Sequence, residues 1–136
     1  QDIADLHKQG ADGVQLGSRF AACVESNAAP SLKRYYLKSK KDDIVIIHSP
    51  VGLPGRAVRT PFSARIMEGP VPPTVCDRCL KHCDHHFCII RALSRAQQGD
   101  LETGLVFTGE YMPRIDRLLS VHEIFEELKQ QLEAAN

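Results

Sequence analysis

A chain of 136 residues that is 43% hydrophobic and 25% charged has the composition of an ordinary folded domain. Its 17 basic and 17 acidic residues cancel, which argues against nucleic acid or an anionic membrane surface as the main partner. No apolar run approaches the roughly 18 residues that cross a bilayer, so a membrane is not expected as a partner either.

The chain opens on a short helix, Asp2 to Gly10, with Asp2 as cap, Asp5 in its first turn, Gly10 to close it, and Ile3 and Leu6 on one face. These residues have the character of a domain interior rather than of a leader, and the expected compartment is the cytoplasm. Gly13-Val-Gln-Leu16 reads as a brief strand, and Phe20 to Val24 as the start of a helix. A second helix begins near Pro30, a favoured first-turn residue, and runs to Ser39. Asp43 to His48 is a buried-strand pattern rich in β-branched residues, followed by a loop from Ser49 to Gly55. Arg56 to Met67 is moderately apolar without a decisive period, and Gly69-Pro-Val-Pro-Pro73 is a stiff, extended connector. Phe87 to Gln98 has Ile90, Leu93 and Ala96 at helical spacing, with Gly99 to end it. Ser120-Val-His-Glu123 is a capping box that opens an amphipathic helix with Val121, Ile124, Phe125, Leu128 and Leu132 on one stripe. There is no internal repeat, and the strands are too few to close a barrel.

Chemistry concentrates in two places. The first is Gly17-Ser18, directly after a strand and before a helix. Glycine lets the backbone approach a ligand, and the first amides of a helix are unpaired donors, so the turn suits a phosphate. By pattern alone it is equally a tight strand–helix connection. The second is Cys76-x2-Cys79-x3-Cys83-x4-Cys88, which holds four of the chain's five cysteines. Thiols so close in sequence can converge on one ion or cluster, whereas disulfides are not expected in a reducing compartment. His82, His85 and His86 offer alternative nitrogen ligands. Structural cysteines that bind nothing are the plainer alternative.

The longer string Gly10-Ala-Asp-Gly-Val-Gln-Leu-Gly-Ser-Arg-Phe20 resembles the C-terminal FMN-binding signature of the nitronate monooxygenase family, which includes the FMN-dependent enoyl-acyl-carrier-protein reductases. That signature usually has threonine where Ser18 stands, and serine keeps the hydroxyl. Glu25-Ser-Asn-Ala28 is similar to the reductase branch, as is Gly55-Arg-Ala-Val-Arg59 to its Gly-x-x-x-Arg segment. Gly99-Asp-Leu-Glu-Thr-Gly104 followed by Gly109 resembles its Gly-Asp-x-x-x-Gly and glycine-turn pattern. Clostridial-type members carry a Cys-rich stretch ending in Cys-Ile, like Cys88-Ile89.

The resemblance implies an α/β fold, the C-terminal part of a (β/α)8 TIM-type barrel plus a mostly helical C-terminal extension. Residues 1–42 would be the last β/α unit of the FMN-binding barrel, 43–75 a connector, and 76–136 the Cys-rich knuckle and C-terminal helices. Gln15, Leu16, Gly17 and Ser18 would contact the FMN phosphate, largely through backbone amides. Arg19 is either a phosphate clamp or a salt-bridge residue. The family's other flavin contacts and its catalytic histidine lie on earlier strands, so no catalytic residue is assigned here. Zinc and an iron–sulfur cluster both stay open for Cys76, Cys79, Cys83 and Cys88, with a lean to the cluster because the implied partner is a redox cofactor.

Among the remaining candidates, His48 is expected to be solvated or satisfied rather than catalytic, His7 and His122 to lie on the surface, and Cys23 to be a small core residue. Tyr111 is either a packed aromatic or near the mouth of the site. The expected function is therefore the C-terminal portion of an FMN-dependent oxidoreductase, either a nitronate monooxygenase or an NAD(P)H-using enoyl reductase. Its partners would be FMN, NAD(P)H, a small-molecule or acyl-thioester substrate, the rest of its own barrel and a second copy in a homodimer. The rival expectation is a small Cys-rich metal-binding interaction module without enzymatic activity.

Overall fold

Asp2 and Asp5 in the first turn, with His7 and Lys8 in the last, complement the peptide dipoles of helix α1 (Asp2–Lys8). Gly10 then turns the chain at φ +95°, where a side chain would be strained. The computed structural model describes residues 2–134. The next segment, Gly13 to Leu16, is extended but is not a strand. Among the described residues it has no hydrogen-bonded neighbour, and without a ladder an isolated strand is not defined. Ser18–Ala21 make the single turn α2, and Pro30 opens α3 (Pro30–Lys38).

Ile44, Val45, Ile46 and Ile47 are all β-branched and form β1 (Ile44–His48), as their pattern predicts. Its partner was not legible. Pro54 and Gly55, expected in the loop, begin β2 (Pro54–Val58), which pairs antiparallel with β1 in the register Ile44 opposite Val58 and His48 opposite Pro54. Proline stands at the strand's first position, where a missing N–H costs least. Gly55 is needed because a Cβ there would lie 2.6 Å from the Phe107 ring. Residues 106–108 run along the other edge of β2, with Val58 N–H donating to Val106 O at 2.8 Å and Thr108 N–H to Arg56 O at 3.1 Å. The strands are thus an antiparallel hairpin with a partial third edge, and no parallel pair occurs among the described residues.

Thr60 caps α4 (Pro61–Glu68), accepting from Ser63 N–H at 3.0 Å while Ser63 Oγ accepts from Thr60 N–H at 2.7 Å. In α5 (Ile89–Gln97) the buried residues are Ala92 and Ala96, whereas Ile90 and Leu93, expected on the inner face, are exposed. Close backbone approach decides this orientation. A Cβ on Gly104 would come within 2.6 Å of Ala96 N and 2.2 Å of Asp100 O, so only small residues can face that crossing. The capping box at Ser120 opens α6 (Val121–Glu133), with Glu123 N–H donating to Ser120 Oγ at 3.2 Å and Ser120 N–H to the Glu123 carboxylate at 2.7 Å. Ile124 of its expected stripe is buried, while Phe125 is half exposed against Phe20, ring centres 5.8 Å apart.

Three apolar clusters result. One joins Leu32 and Tyr36 of α3 to Val58, Ala96, Val106 and Met112. A second joins Val45, Ile47 and Ala57 of the hairpin to Phe62, Phe87 and Leu105. The third sets Cys23 against Leu119 and Ile124, the core position expected of that thiol. No helix among the described residues is long and apolar enough to cross a membrane.

Candidate functional site

The turn predicted to hold a phosphate forms one wall of the larger cavity, about 560 Å³. That volume is within the range of roughly 300–1,000 Å³ usual for small-ligand sites. Gln15, Leu16, Gly17 and Ser18 all line it. Across the space stand residues of α1, α6 and the segment from Gly109 to Arg117. Among the described residues, the backbone N–H groups of Leu16, Gly17, Ser18 and Arg19 meet no backbone acceptor, and Gly17 has no side-chain cap. A Cβ on Gly13 or Gly17 would meet nothing within 4 Å. Gly17 has φ −104°, so glycine is not required by its backbone there, and what its lack of a side chain preserves is open space in front of the amides.

Ser18 is held from a distant part of the chain. Its Oγ accepts from Gly109 N–H at 2.8 Å and lies 3.5 Å from Thr108 Oγ1. Thr108 in turn donates to Gly109 O at 3.2 Å. The Ser18 hydroxyl is therefore fixed as an acceptor while its proton has only a long contact inside the protein, which leaves that proton for a cavity ligand.

The cations around the cavity are already paired. Arg19 donates to Arg117 O at 3.1 Å and lies 3.7 Å from Glu127, which also takes Arg117 at 2.7 Å. Of the two roles open for Arg19, the structure has the salt bridge. Arg114 binds Asp2 at 2.8 Å and lies over the Tyr111 ring at 4.4 Å. Tyr111 is 62% exposed and lines the cavity, so it stands at the mouth and is not the packed turn aromatic. An anion at the turn would thus be met mainly by backbone dipoles and a hydroxyl.

The cysteine segment lies elsewhere. Cys76, Cys79, Cys83 and Cys88 all line a second cavity of about 120 Å³, and all are free thiols. Among the described residues no three His, Cys, Asp or Glu side chains are gathered closely enough to hold a metal ion, so the expected four-sulfur set is not assembled in this structure. Nor does the segment adjoin the turn, since the two cavities share no lining residue. His86, offered as an alternative ligand, has its Nε2 2.8 Å from Ile66 O. His48 pairs with the Asp84 carboxylate, tying the end of β1 to this segment, and is a solvated structural residue. The His86 amide and the His48 ring hold the Asp84 carboxyl below the usual carboxylate range. Hydrogen bonds from Arg91, at 2.8 and 2.9 Å, do the same for Asp77. His7 and His122 are exposed.

Sequence reasoning missed two residues. Thr108 is 90 positions from Ser18, and no local pattern links them. Glu25, singled out only by resemblance, accepts the Val121 N–H at 2.9 Å and so fixes the start of α6 beside the cavity.

Comparison with known proteins gives consistent relatives. The model of the family described as "Nitronate monooxygenase" matches residues 1–131. A curated Saccharomyces cerevisiae protein named "Putative nitronate monooxygenase" is 34% identical over 67 residues, which is 49% of this chain and 16% of that protein. Among solved structures, FabK from Thermotoga maritima superposes with a TM-score of 0.77 at 29% identity, over 97% of this chain and 40% of FabK. A point variant of the same protein gives a TM-score of 0.73 at 28% identity, over 97% of this chain and 37% of the variant. The chain spans less than half the length of each of these relatives.

Proposed function

The chain belongs to the nitronate monooxygenase family, and from that premise we propose that it forms the phosphate-holding end of an FMN-dependent oxidoreductase. The observation that carries this reading is the turn Gln15–Ser18, whose amides lack partners and face a cavity of about 560 Å³. The N–H groups of Leu16, Gly17 and Ser18 would take phosphate oxygens, with the Ser18 hydroxyl as a further donor. Bound flavin supplies the hydride and electron chemistry. The residues here anchor it: Gly109 fixes the Ser18 oxygen, the open face of Gly17 admits the phosphate, and Tyr111 with Arg114 borders the entrance.

The unpaired backbone of Gly13 to Leu16 is in this reading the last strand of a (β/α)8 barrel. Its neighbours, together with the catalytic groups that serve the flavin ring, lie among residues these do not include. Reduction by NAD(P)H with an enoyl thioester as acceptor is supported by Glu25-Ser-Asn-Ala28, although Glu25 itself contributes architecture by capping α6. Oxidation of an alkyl nitronate by oxygen is the second reading, supported by the yeast relative. The five unpaired cysteines support a reducing compartment, the cytoplasm. An isolated metal-binding module is not favoured, because the family match spans the turn and the cysteine segment together.

The test is to purify the full-length natural protein and measure bound flavin by absorbance, expecting about one FMN per chain. A colourless protein that does not take up added FMN overturns the proposal. Anaerobic reduction by NADH or NADPH, followed by reoxidation with an enoyl thioester, separates the first reading from direct turnover of a nitronate.

A further inference from the structure

Val106, Phe107 and Thr108 favour extended backbone, and they lie along β2 as a short strut. Val106 O accepts from Val58 N–H at 2.8 Å, and Thr108 N–H donates to Arg56 O at 3.1 Å. Backbone groups alternate sides in an extended chain, so the Phe107 carbonyl between them points away from β2. There the hydroxyl of Tyr36, from α3, donates to it at 3.0 Å. Tyr36 is 5% exposed and packed with Leu32, Val58 and Met112. Burial pushes its hydroxyl above the ordinary 10.0, so it stays a protonated donor through the neutral range. The Phe107 ring is gripped as well, lying against Gly55 where a Cβ would come within 2.6 Å of it.

What the strut delivers is the next amide. Gly109 N–H donates to Ser18 Oγ at 2.8 Å, across 91 positions of sequence. A Cβ on Gly109 would meet Ser18 Oγ at 3.4 Å and nothing else within 4 Å, so the glycine keeps room around that one hydroxyl. A serine hydroxyl turns freely until a partner fixes it. With one lone pair held by Gly109, its proton is directed elsewhere, and accepting a bond makes it a stronger donor.

We propose that Tyr36 is a positioning residue for phosphate recognition: it holds the Phe107 carbonyl, so keeps Gly109 N–H on Ser18, and thereby aims the Ser18 hydroxyl at the ligand's phosphate. The proposal rests on the FMN reading above. It adds that the preference for FMN over riboflavin, which differ in the phosphate alone, is set in part from α3. Tyr36 does not line the cavity and acts only through the strut. Its neighbour Tyr35 makes the same kind of bond to Arg59 O, beyond the end of β2, and has no such link to Gly109.

The test is titration of flavin-free, full-length natural protein with FMN and with riboflavin, read as the ratio of the two affinities. Ser18→Ala should lower that ratio about tenfold. Tyr36→Phe should lower it about threefold with riboflavin affinity unchanged, and should add nothing in the Ser18→Ala background. Tyr35→Phe should leave the ratio as it is. Wild-type protein that binds neither flavin, or both equally, removes the phosphate reading and this proposal with it. A preference for FMN that survives Tyr36→Phe, or falls equally in both backgrounds, overturns this proposal alone. Should Tyr36→Phe misfold, Gly109→Ala must lower the ratio with Ser18 present and not with Ser18→Ala; any other result rejects the strut.

Discussion

The stretch Gln15–Gly17, with Ser18 opening α2 behind it, and the segment Cys76–Cys88 both lie outside regular secondary structure and both face a cavity, yet they are built in opposite ways. At the turn, the side chains are few or already engaged, and the backbone is what remains unpaired. In the cysteine segment the backbone is bent and pinned, the acidic side chains and His86 are paired, and the four thiols are free. The contrast teaches what each can bind. A row of amides suits a diffuse anion such as a phosphate, approached at any of several donors. The four thiols share a cavity, yet among the described residues no three ligating side chains come close enough for a metal ion.

If the two regions are independent, damage to one should leave the other intact. The largest effect should come from Phe87→Ala. This ring is fully buried and meets Phe62 edge-on at 5.7 Å, so its loss should cost about 3–5 kcal/mol in denaturant unfolding. It should also speed the reaction of the segment's thiols with a thiol reagent under native conditions, with FMN affinity unchanged. Weakened FMN binding in protein that is still folded would show that the regions are coupled.

Gly104→Ala should cost about 1–3 kcal/mol, because its Cβ would meet backbone atoms of Asp100 and Ala96 that cannot move aside. Denaturant titration reads this directly, and a value near zero would show that the close crossing of α5 is not rigid. Gly17→Val is the complementary case. The backbone at φ −104° accepts valine, so stability should hold while FMN affinity falls about tenfold, or about 1.4 kcal/mol. Isothermal titration with FMN checks this, and unchanged affinity would make the turn a mere connection.

Smaller still, Ser120→Ala should lower the melting temperature through loss of about 1 kcal/mol of capping. The partner in that box has a pH signature. Hydrogen bonds from the Ser120 backbone and side chain hold the Glu123 carboxyl below its ordinary value of 4.5. Its contribution is therefore present above 4.5 and lost as pH falls through the lower, folded value. The stability gap between wild type and Glu123→Gln should be constant near neutrality and shrink below that point. A gap that instead widens in acid would reverse the assigned sign.

Local chemistry was the part most legible in advance. The capping box at Ser120, the proline opening α3, the β-branched run of β1 and the core position of Cys23 follow from short-range rules. Gln15 to Ser18, singled out by the family resemblance, all line the larger of the two cavities, because four successive residues of one turn necessarily face the same space. What failed did so for long-range reasons. Gly13 to Leu16 could not be a strand without a neighbour, and no residue in the segment itself announces that lack. The pairing of Pro54–Val58 with β1 was hidden because proline and glycine signal a loop until a partner and the Phe107 ring are known. Ile90 and Leu93 were placed inward by hydrophobicity, whereas the close passage of Gly104 over Ala96 turned the small face inward instead.

By itself, then, the sequence determined the family, the proline start of α3, the capping box of α6 and the spacing of four thiols, because each is written in residues close together along the chain. Only the tertiary structure decided that Ser18 is fixed by Gly109, that Arg19 belongs to Glu127, and that the thiols share a cavity apart from the turn. Those facts join residues up to 108 positions apart, as between Arg19 and Glu127, and short-range patterns carry no record of such distances.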